Sequence, residues 1–561
     1  MRVDLLVTGR IASLGGDAGF GWVEALAIAG GRVILAGDRA GVERTATLVR
    51  RRLDLPPDRV AIPGLTDGHI HLVDLALSAD EVDLAVAATL EEGLARVRAA
   101  HLATRDPDAW LRGHGWDAVR WGGWPTADDL ERAAPGRRVA LWSHDHHAVW
   151  ASHAALRAAG IDAGSPDPPG GVIRRHDDGT PAGSLHETAA SIVLRVVPRP
   201  SAERIDGALV RAGRALVALG LTAVHDPGEV SSDVDLGGGF GAYERLGAAG
   251  RLPIRIHASV RPESLGLAIE RGHRSGQPLG GQGSRARVGW VKLFADGSLG
   301  ARTARLLAPY EPDPGGDPPP GGPFGVHVTQ PDEVRRLVRL AADHGIAAQV
   351  HAIGDAAVRS SLEALEAAGS RTPLMPRIEH AQLVDPADGA RFARAGIAVC
   401  VQPRDIRSDA ANARRFWGAR RAEHGAYAYG SLARSGAVLL FGSDAPVEPP
   451  DPWPAIASAV TRRDPTWDEG EAFVPSEAVT LARAVRAACL DAAVAAGERD
   501  RGRLVTGRRA DLVVVPAAAF DEPIDQRGPL ETARPDLVLL NGEAVFERQA
   551  VPPDGEAVFE R

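Results

Sequence analysis

The chain has 561 residues, 44% of them hydrophobic and 24% charged, the composition of a soluble globular protein long enough for more than one domain. A formal net charge of −9 argues against a nucleic-acid partner, which needs a basic face. No apolar run reaches the ~20 residues of a membrane span, the N-terminus alternates like a strand and carries an acid where a signal peptide needs an apolar core, and Cys400 and Cys489 lie far apart in apolar contexts, so a cytoplasmic, reduced protein is expected.

In chain order, strand signals at residues 3–8, 24–36 and 46–62 are separated by Gly-rich turns, with Gly30-Gly31 as a hairpin turn. The same pattern returns at 507–515 and 536–542, so residues 1–61 and 500–548 read as one small composite β domain flanking a larger middle, 62–499. That middle opens with Ile62-Pro-Gly-Leu-Thr-Asp-Gly-His-Ile-His71. Alternation along a strand places His69 and His71 on one face, as two ligands of one metal require, although such a pair also suits a solvated edge. Residues 76–200 then interrupt the pattern and hold six of the eleven tryptophans: Trp110, Trp116, Trp121, Trp124, Trp142 and Trp150. They read either as the core of an insertion or as an aromatic wall over a pocket for an apolar substrate group.

From residue 201 the pattern is regular. A helix over Ser201–Leu219 leads to strands at 221–226, 253–258, around Lys292, 346–352, 376–381, 397–402 and 437–444, with a helix signal at 332–342. With 62–71 these make eight strands alternating with helices, an α/β chain with a (β/α)₈ TIM-like barrel. His69, His71, Lys292, His351, His380 and Asp444 close apolar runs at the strand ends that such a barrel brings to one face, and all are metal ligands or convertible to one. Lys292 stands out further. It is the one lysine in a chain where arginine supplies every other basic side chain of the Lys+Arg count of 64. It lies in the apolar run Val-Gly-Trp-Val-Lys-Leu-Phe, where a lysine is costly unless it is paired, neutral or bound.

Five motifs together resemble those of the metal-dependent amidohydrolase superfamily: Pro-Gly-Leu-Thr-Asp-Gly-His-Ile-His (63–71), Val-Lys-Leu-Phe-Ala-Asp-Gly-Ser-Leu-Gly-Ala-Arg-Thr-Ala (291–304), Val-His-Ala-Ile-Gly-Asp-Ala-Ala (350–357), Ile-Glu-His-Ala-Gln (378–382) and Gly-Ser-Asp-Ala-Pro-Val (442–447). The resemblance is to the branch of large members with a Trp-rich insertion, the YtcJ-like or N-substituted formamide deformylase-like group (amidohydrolase family 3). It implies a barrel with a small β-sandwich domain built from both termini and a large insertion after the first barrel strand. It also implies that CO₂ carboxylates Lys292 into an anionic bridge between metals, with His69 and His71 on one divalent ion and His351 and His380 on another, zinc being the expected metal, one or two per subunit. The implied reaction is hydrolysis of a C–N amide-type bond, of an N-substituted amide or formamide with an apolar or aromatic group, by metal-activated hydroxide. Asp444 is then both a ligand and the catalytic base.

Candidate substrate contacts are Trp116, Trp121, His147, Asp296 and Arg302. The family's Asp-Gly-His-Ala in the insertion reads Asp145-His146-His147-Ala148 here, which leaves that loop's contacts open. A cyclic amide, imide or lactone hydrolase, a deaminase, and a non-catalytic metal-binding regulator are the alternatives. The expected partner is a small molecule, with a homodimer left open. The tail repeats Gly-Glu-Ala-Val-Phe-Glu-Arg at 542–548 and 555–561, read as a duplication without a chemical role.

Overall fold

The computed structural model describes residues 1–79, 81–228, 239–313, 318–369, 371–468, 470–525 and 527–549. Its central sheet carries eight parallel strands in barrel order: β1 (Leu65–Asp67), β2 (Leu221–Asp226), β3 (Arg255–Val260), β4 (Ala286–Phe294), β5 (Ala347–Ala352), β6 (Arg377–His380), β7 (Ala398–Val401) and β8 (Leu439–Phe441). Helices such as Ala202–Ala218, Pro331–Asp343 and Asp355–Ala368 pack outside, the first capped by the Ser201 hydroxyl. All six residues of β2, β3 and β5 are buried, as strands covered on both faces require.

Closure between β8 and β1 uses backbone contacts beyond the strand ends. Gly68 N donates to Phe441 O (2.8 Å), Asp444 N to His69 O (2.7 Å) and His71 N to Ala445 O (2.9 Å). The two motifs touch so closely that a Cβ on Gly442 would lie 2.6 Å from the His69 backbone, and one on Gly68 would lie 2.8 Å from Phe441 O. The buried Asp67 ties the seam, its Oδ1 accepting from His69 N (3.1 Å) and Ser443 N (3.0 Å).

The strand expected over 62–71 is in fact divided. Arg59–Pro63 pairs with Leu512–Pro516 in the small domain, and the barrel strand proper spans only Leu65–Asp67. His69 and His71 therefore follow the strand rather than lie on it, because the Asp67 carboxylate, not a neighbouring strand, takes the His69 amide. The termini form one hydrogen-bonded eight-stranded sheet, folded so that Leu5, Val7, Leu26 and Ile28 share a core with Leu512, Val514 and Leu539. The first repeat copy supplies its edge strand Glu543–Glu547, while the second lies outside the described residues.

Between β1 and β2 a six-stranded sheet runs from Val82–Asp83 to Pro181–Glu187. Most of its tryptophans build its interior. Trp116 and Trp150 are fully buried, with Trp121 and Trp124 packed against them. The indoles of Trp116, Trp121 and Trp150 donate to the carbonyls of Leu141 (2.8 Å), Ala87 (3.1 Å) and Thr126 (2.6 Å). Among the described residues, no helix is long and apolar enough to cross a membrane.

One buried cluster joins the base of the barrel to the small domain. Arg255, the first residue of β3, contacts Asp511 (2.8 Å) and Asn541 (2.7 Å), and Asp511 also accepts from Asn541 N (2.8 Å). Asp511→Ala strands the Arg255 guanidinium in a dry site, and is expected to cost about 3–5 kcal/mol, read as a lower unfolding midpoint. Removing both partners (Arg255→Met with Asp511→Leu) should recover much of the loss. A single variant as stable as wild type would refute a role for this pair in holding the two parts together.

Candidate metal centre

Parallel strands deliver their C-terminal ends to one side of the barrel, and His69, His71, His351, His380, Lys292 and Asp444 meet there. Asp444 Oδ1 lies 3.2 Å from His69 Nε2 and 3.3 Å from His71 Nε2. The rings of His69 and His380 are 5.0 Å apart and those of His351 and His380 4.5 Å apart. Lys292 is wholly buried, with Nζ 3.4 Å from His69 Nε2. Burial is the main force pushing its amine down, to about 8, against the pull of Glu379 and Asp444.

Each imidazole has one ring nitrogen fixed by an oxygen acceptor. His69 Nδ1 faces Glu379 Oε2 (2.5 Å), His71 Nδ1 the Gly228 carbonyl (3.0 Å), His351 Nε2 the Gly297 carbonyl (3.1 Å), and His380 Nδ1 Gln402 Oε1 (3.0 Å). Each bond makes that nitrogen the donor and leaves the other with a lone pair, which is how metal-binding histidines are oriented. At the middle, Asp444 Oδ1 is buried with no hydrogen-bond partner. A carboxylate oxygen in that position among imidazole nitrogens fits a divalent cation. His69, His380 and Asp444 present ligand atoms within 4.8 Å of one another. A second triad of His69, Glu379 and Cys400 meets the same limit, but there Glu379 is already engaged, Oε2 with His69 Nδ1 at 2.5 Å and Oε1 with Arg377 at 2.6 Å.

The backbone is strained where it carries these groups. His380 (φ 70°), Ala381 (φ 42°) and Asp444 (φ 58°) are all left-handed, a conformation costing about 1–3 kcal/mol per non-glycine residue and concentrated at functional sites. Under the centre, Arg377 Nε contacts Glu379 Oε1 at 2.6 Å. Burial alone would raise Glu379, but Arg377 and then His69 hold it at about 2, so it stays ionised behind His69.

Two cavities open on this centre and share Asp145, His147, His380, Asp444 and Val447. His147 donates to Glu187 Oε2 (2.9 Å), and although burial opposes it, that carboxylate raises the imidazole to about 9, so it is a cation at neutral pH. Asp145 accepts from Ser143 (2.6 Å) and Ser298 (2.5 Å) and so fastens the insertion to the loop after β4. The additional imidazole of His146 stacks on Trp142, with ring centroids 5.3 Å apart, in the second cavity.

Other candidate contacts lie elsewhere. Trp121 lines neither cavity, because its ring is spent on the insertion's interior. Trp116 reaches the first cavity from a fully buried position in a strand. Asp296 is fully buried, both oxygens taken by the backbone N–H groups of Arg305, Ile353 and Gly354 at 2.8–2.9 Å, so it clamps loops rather than binding substrate. Arg302 is buried over the Phe416 ring (5.4 Å) and 3.9 Å from Asp313, and lines neither cavity. The tryptophans that do face the cavities with Trp116 are Trp124 and Trp142. Sequence reasoning also passed over Glu379, although Arg377 and Glu379 at i and i+2 of an apolar strand share a face and so announce a buried ion pair.

The Amidohydrolase family model (Amidohydro_3) matches residues 57–546. The chain is 33% identical over 494 residues to YtcJ of Bacillus subtilis (strain 168), named as an amidohydrolase, covering 87% of this chain and 89% of that one. It is 27% identical to the N-substituted formamide deformylase of Arthrobacter pascens over 98% of this chain and 99% of the relative. Among solved structures, a metal-dependent hydrolase from Pyrococcus horikoshii OT3 superposes with a TM-score of 0.69 at 27% identity, covering 91% of this chain and 96% of that one.

The bond from His69 to Glu379 yields a test. Glu379→Gln keeps the shape but removes the charge behind His69, and is expected to weaken metal affinity about 10–100-fold. Chelator competition followed by metal analysis reads this directly. Unchanged affinity would mean that Glu379 serves only Arg377.

Proposed function

The chain belongs to the amidohydrolase family, and from that premise we propose that it hydrolyses an amide-type C–N bond of a small molecule, such as an N-substituted formamide, at a divalent metal centre, with zinc as the metal. The observation that carries this reading is the orientation of the donors: four imidazoles, each with one nitrogen anchored to an oxygen, around the partnerless Oδ1 of Asp444. Neutral imidazole and carboxylate donors suit zinc. His69 and His71 would hold one ion and His351 and His380 a second. Lys292 joins them once its neutral amine bonds to the carbon of CO₂ and loses a proton, so that a carbamate anion replaces a cation facing His69. An arginine in its place could not undergo this change.

When bound, the metal would polarise the carbonyl and lower the pKa of its water toward ~7. Asp444, which lines both cavities, would take the proton from the attacking water and pass it to the departing nitrogen. His147, kept protonated by Glu187, offers a hydrogen bond to the carbonyl oxygen as negative charge develops there. Trp124 and Trp142 supply apolar surface on the two sides.

Lys292→Arg nearly keeps charge and length and is expected to abolish turnover of N-formyl and N-acyl amines and to lower bound metal. Native intact-mass measurement of the wild type should show an additional CO₂ that acid removes. Full activity in the Arg variant would sink the carboxylation. Asp444→Asn retains an oxygen ligand but cannot accept a proton, so metal should remain while kcat falls by ~10²–10⁴. Loss of all metal from that variant would make Asp444 a structural ligand and send the search for the base elsewhere.

A further inference from the structure

The first cavity has an electrostatic character that hydrolysis at the metal does not require. Beside Asp444 its wall carries Asp405 and Asp409, one turn apart on the helix Asp405–Asn412. Asp405 is only 7% exposed. Its Oδ2 accepts from Gln382 Nε2 at 3.1 Å, while Oδ1 is buried with no hydrogen-bond partner. Asp409 Oδ2 accepts from the Tyr427 hydroxyl (2.7 Å) and, more distantly, from the same Gln382 amide (3.4 Å). Two carboxyls thus share neutral donors, and neither touches a cationic side chain among the described residues.

The other acids of the wall are already matched. Glu448 faces Arg404 at 2.8 Å and His144 at 3.7 Å, the Asp145 oxygens are held by Ser143 and Ser298, and Asp117 Oδ1 accepts from Val119 N (2.8 Å) and Arg120 N (3.1 Å). Two ionised carboxyls at i and i+4 would repel, and a buried carboxyl oxygen without a donor costs free energy, so the pair can ionise together only at a cost. Burial, followed by Asp409, Glu448 and Asp444, pushes the Asp405 carboxyl well above its ordinary range. The position of Asp405 at a helix N-terminus accounts for an acid there, but not for its partnerless oxygen or for a second acid facing the same cavity.

Building on the amide-hydrolase reading, we propose that the substrate carries a protonated nitrogen base, an ammonium or guanidinium group, which this cavity receives on Asp405 and Asp409 while the amide meets the metal centre at Asp444. The cation supplies the donor that Asp405 Oδ1 lacks and offsets the cost of ionising the pair. An aliphatic or aromatic stem fits between, against Trp116 and Trp124, with the charge at one end and the scissile bond at the other.

Two measurements on the zinc-loaded protein test this. In the first, kcat/KM is compared for N-formyl-1,4-diaminobutane and N-formylpentylamine, which differ in an ammonium against a methyl end. The cationic member should be favoured at least about tenfold, the lower worth of a hydrogen bond to a charged group, and Asp405→Asn, Asp409→Asn and the double variant should collapse that ratio. In the second, calorimetry compares butylguanidinium with its neutral isostere butylurea. The cation should bind at least about tenfold more tightly, and the double variant should lose the difference. Equal affinity for the two, no binding of either, or a preference unchanged in the double variant would overturn the proposal. If neither amide is hydrolysed but butylguanidinium is still preferred, the cation site stands and the amide reading falls. Hydrolysis of both formamides with no charge preference would instead keep the amide reading and remove the cation site.

Discussion

Buried charge is tolerated at the barrel mouth only through pairing, and the rest of the site depends on that constraint. Four imidazoles, a lysine amine and an aspartate share one dry space, and burial works against the charged form of every one of them. His69 shows how the conflict is managed. One nitrogen is held by Glu379, which Arg377 keeps ionised, and the other turns toward Asp444 and Lys292. A chain of contacts runs from Arg377 through Glu379 and His69 to Asp444 along the barrel interior. It fixes both the orientation of the ring and the electron density available to a metal.

The seam between β8 and β1 carries the second half of the constraint. Asp67, His69, Gly442, Ser443 and Asp444 are brought within hydrogen-bonding distance by two segments from opposite ends of the barrel sequence, and the positive φ of Asp444 is held there by the His69 carbonyl. Glycine at 68 and 442 is what allows backbones to approach that closely. The same seam opens onto a cavity whose far wall comes from the insertion. The candidate metal ligands and part of the cavity wall are therefore built by different parts of the chain, and the Asp145–Ser298 bond sets one against the other.

Much of this is legible in the chain because several barrel strands end at or just before a residue with its own chemistry. Apolar runs closed by His351, His380 or Asp444 mark both the fold and the side of the barrel that matters, and a solitary lysine in an apolar run marks the position where arginine cannot serve. The extent of β1 is not legible, since an aspartate accepting two backbone bonds is indistinguishable from any other acid until Ser443 arrives across the seam. The tryptophans mislead in part for a similar reason. As candidate substrate contacts Trp116 and Trp121 would both face the cavity, whereas non-local packing buries the first in a strand and spends the second against Trp150. Asp296 looks like a ligand-binding acid within a motif, yet its partners are three backbone amides, two of them far away in sequence. Arg377 with Glu379 is readable from spacing alone.

The seam also sets a timetable for synthesis. Asp67 and Ser443 are 376 residues apart, which at ribosomal speeds of about 5–20 residues per second separates their appearance by roughly 20–75 s. For that interval β1 has no partner on its β8 side and His69 lacks Asp444, while Glu379, 310 residues after His69, arrives earlier. The insertion, whose strands all lie between Val82 and Glu187, has its whole core available long before. The insertion's share of the cavity wall is thus complete before the candidate metal centre exists, whereas the share that carries Asp405 and Asp409 comes later, and the last barrel strand to leave the ribosome is the one that closes the sheet and brings Asp444 into place.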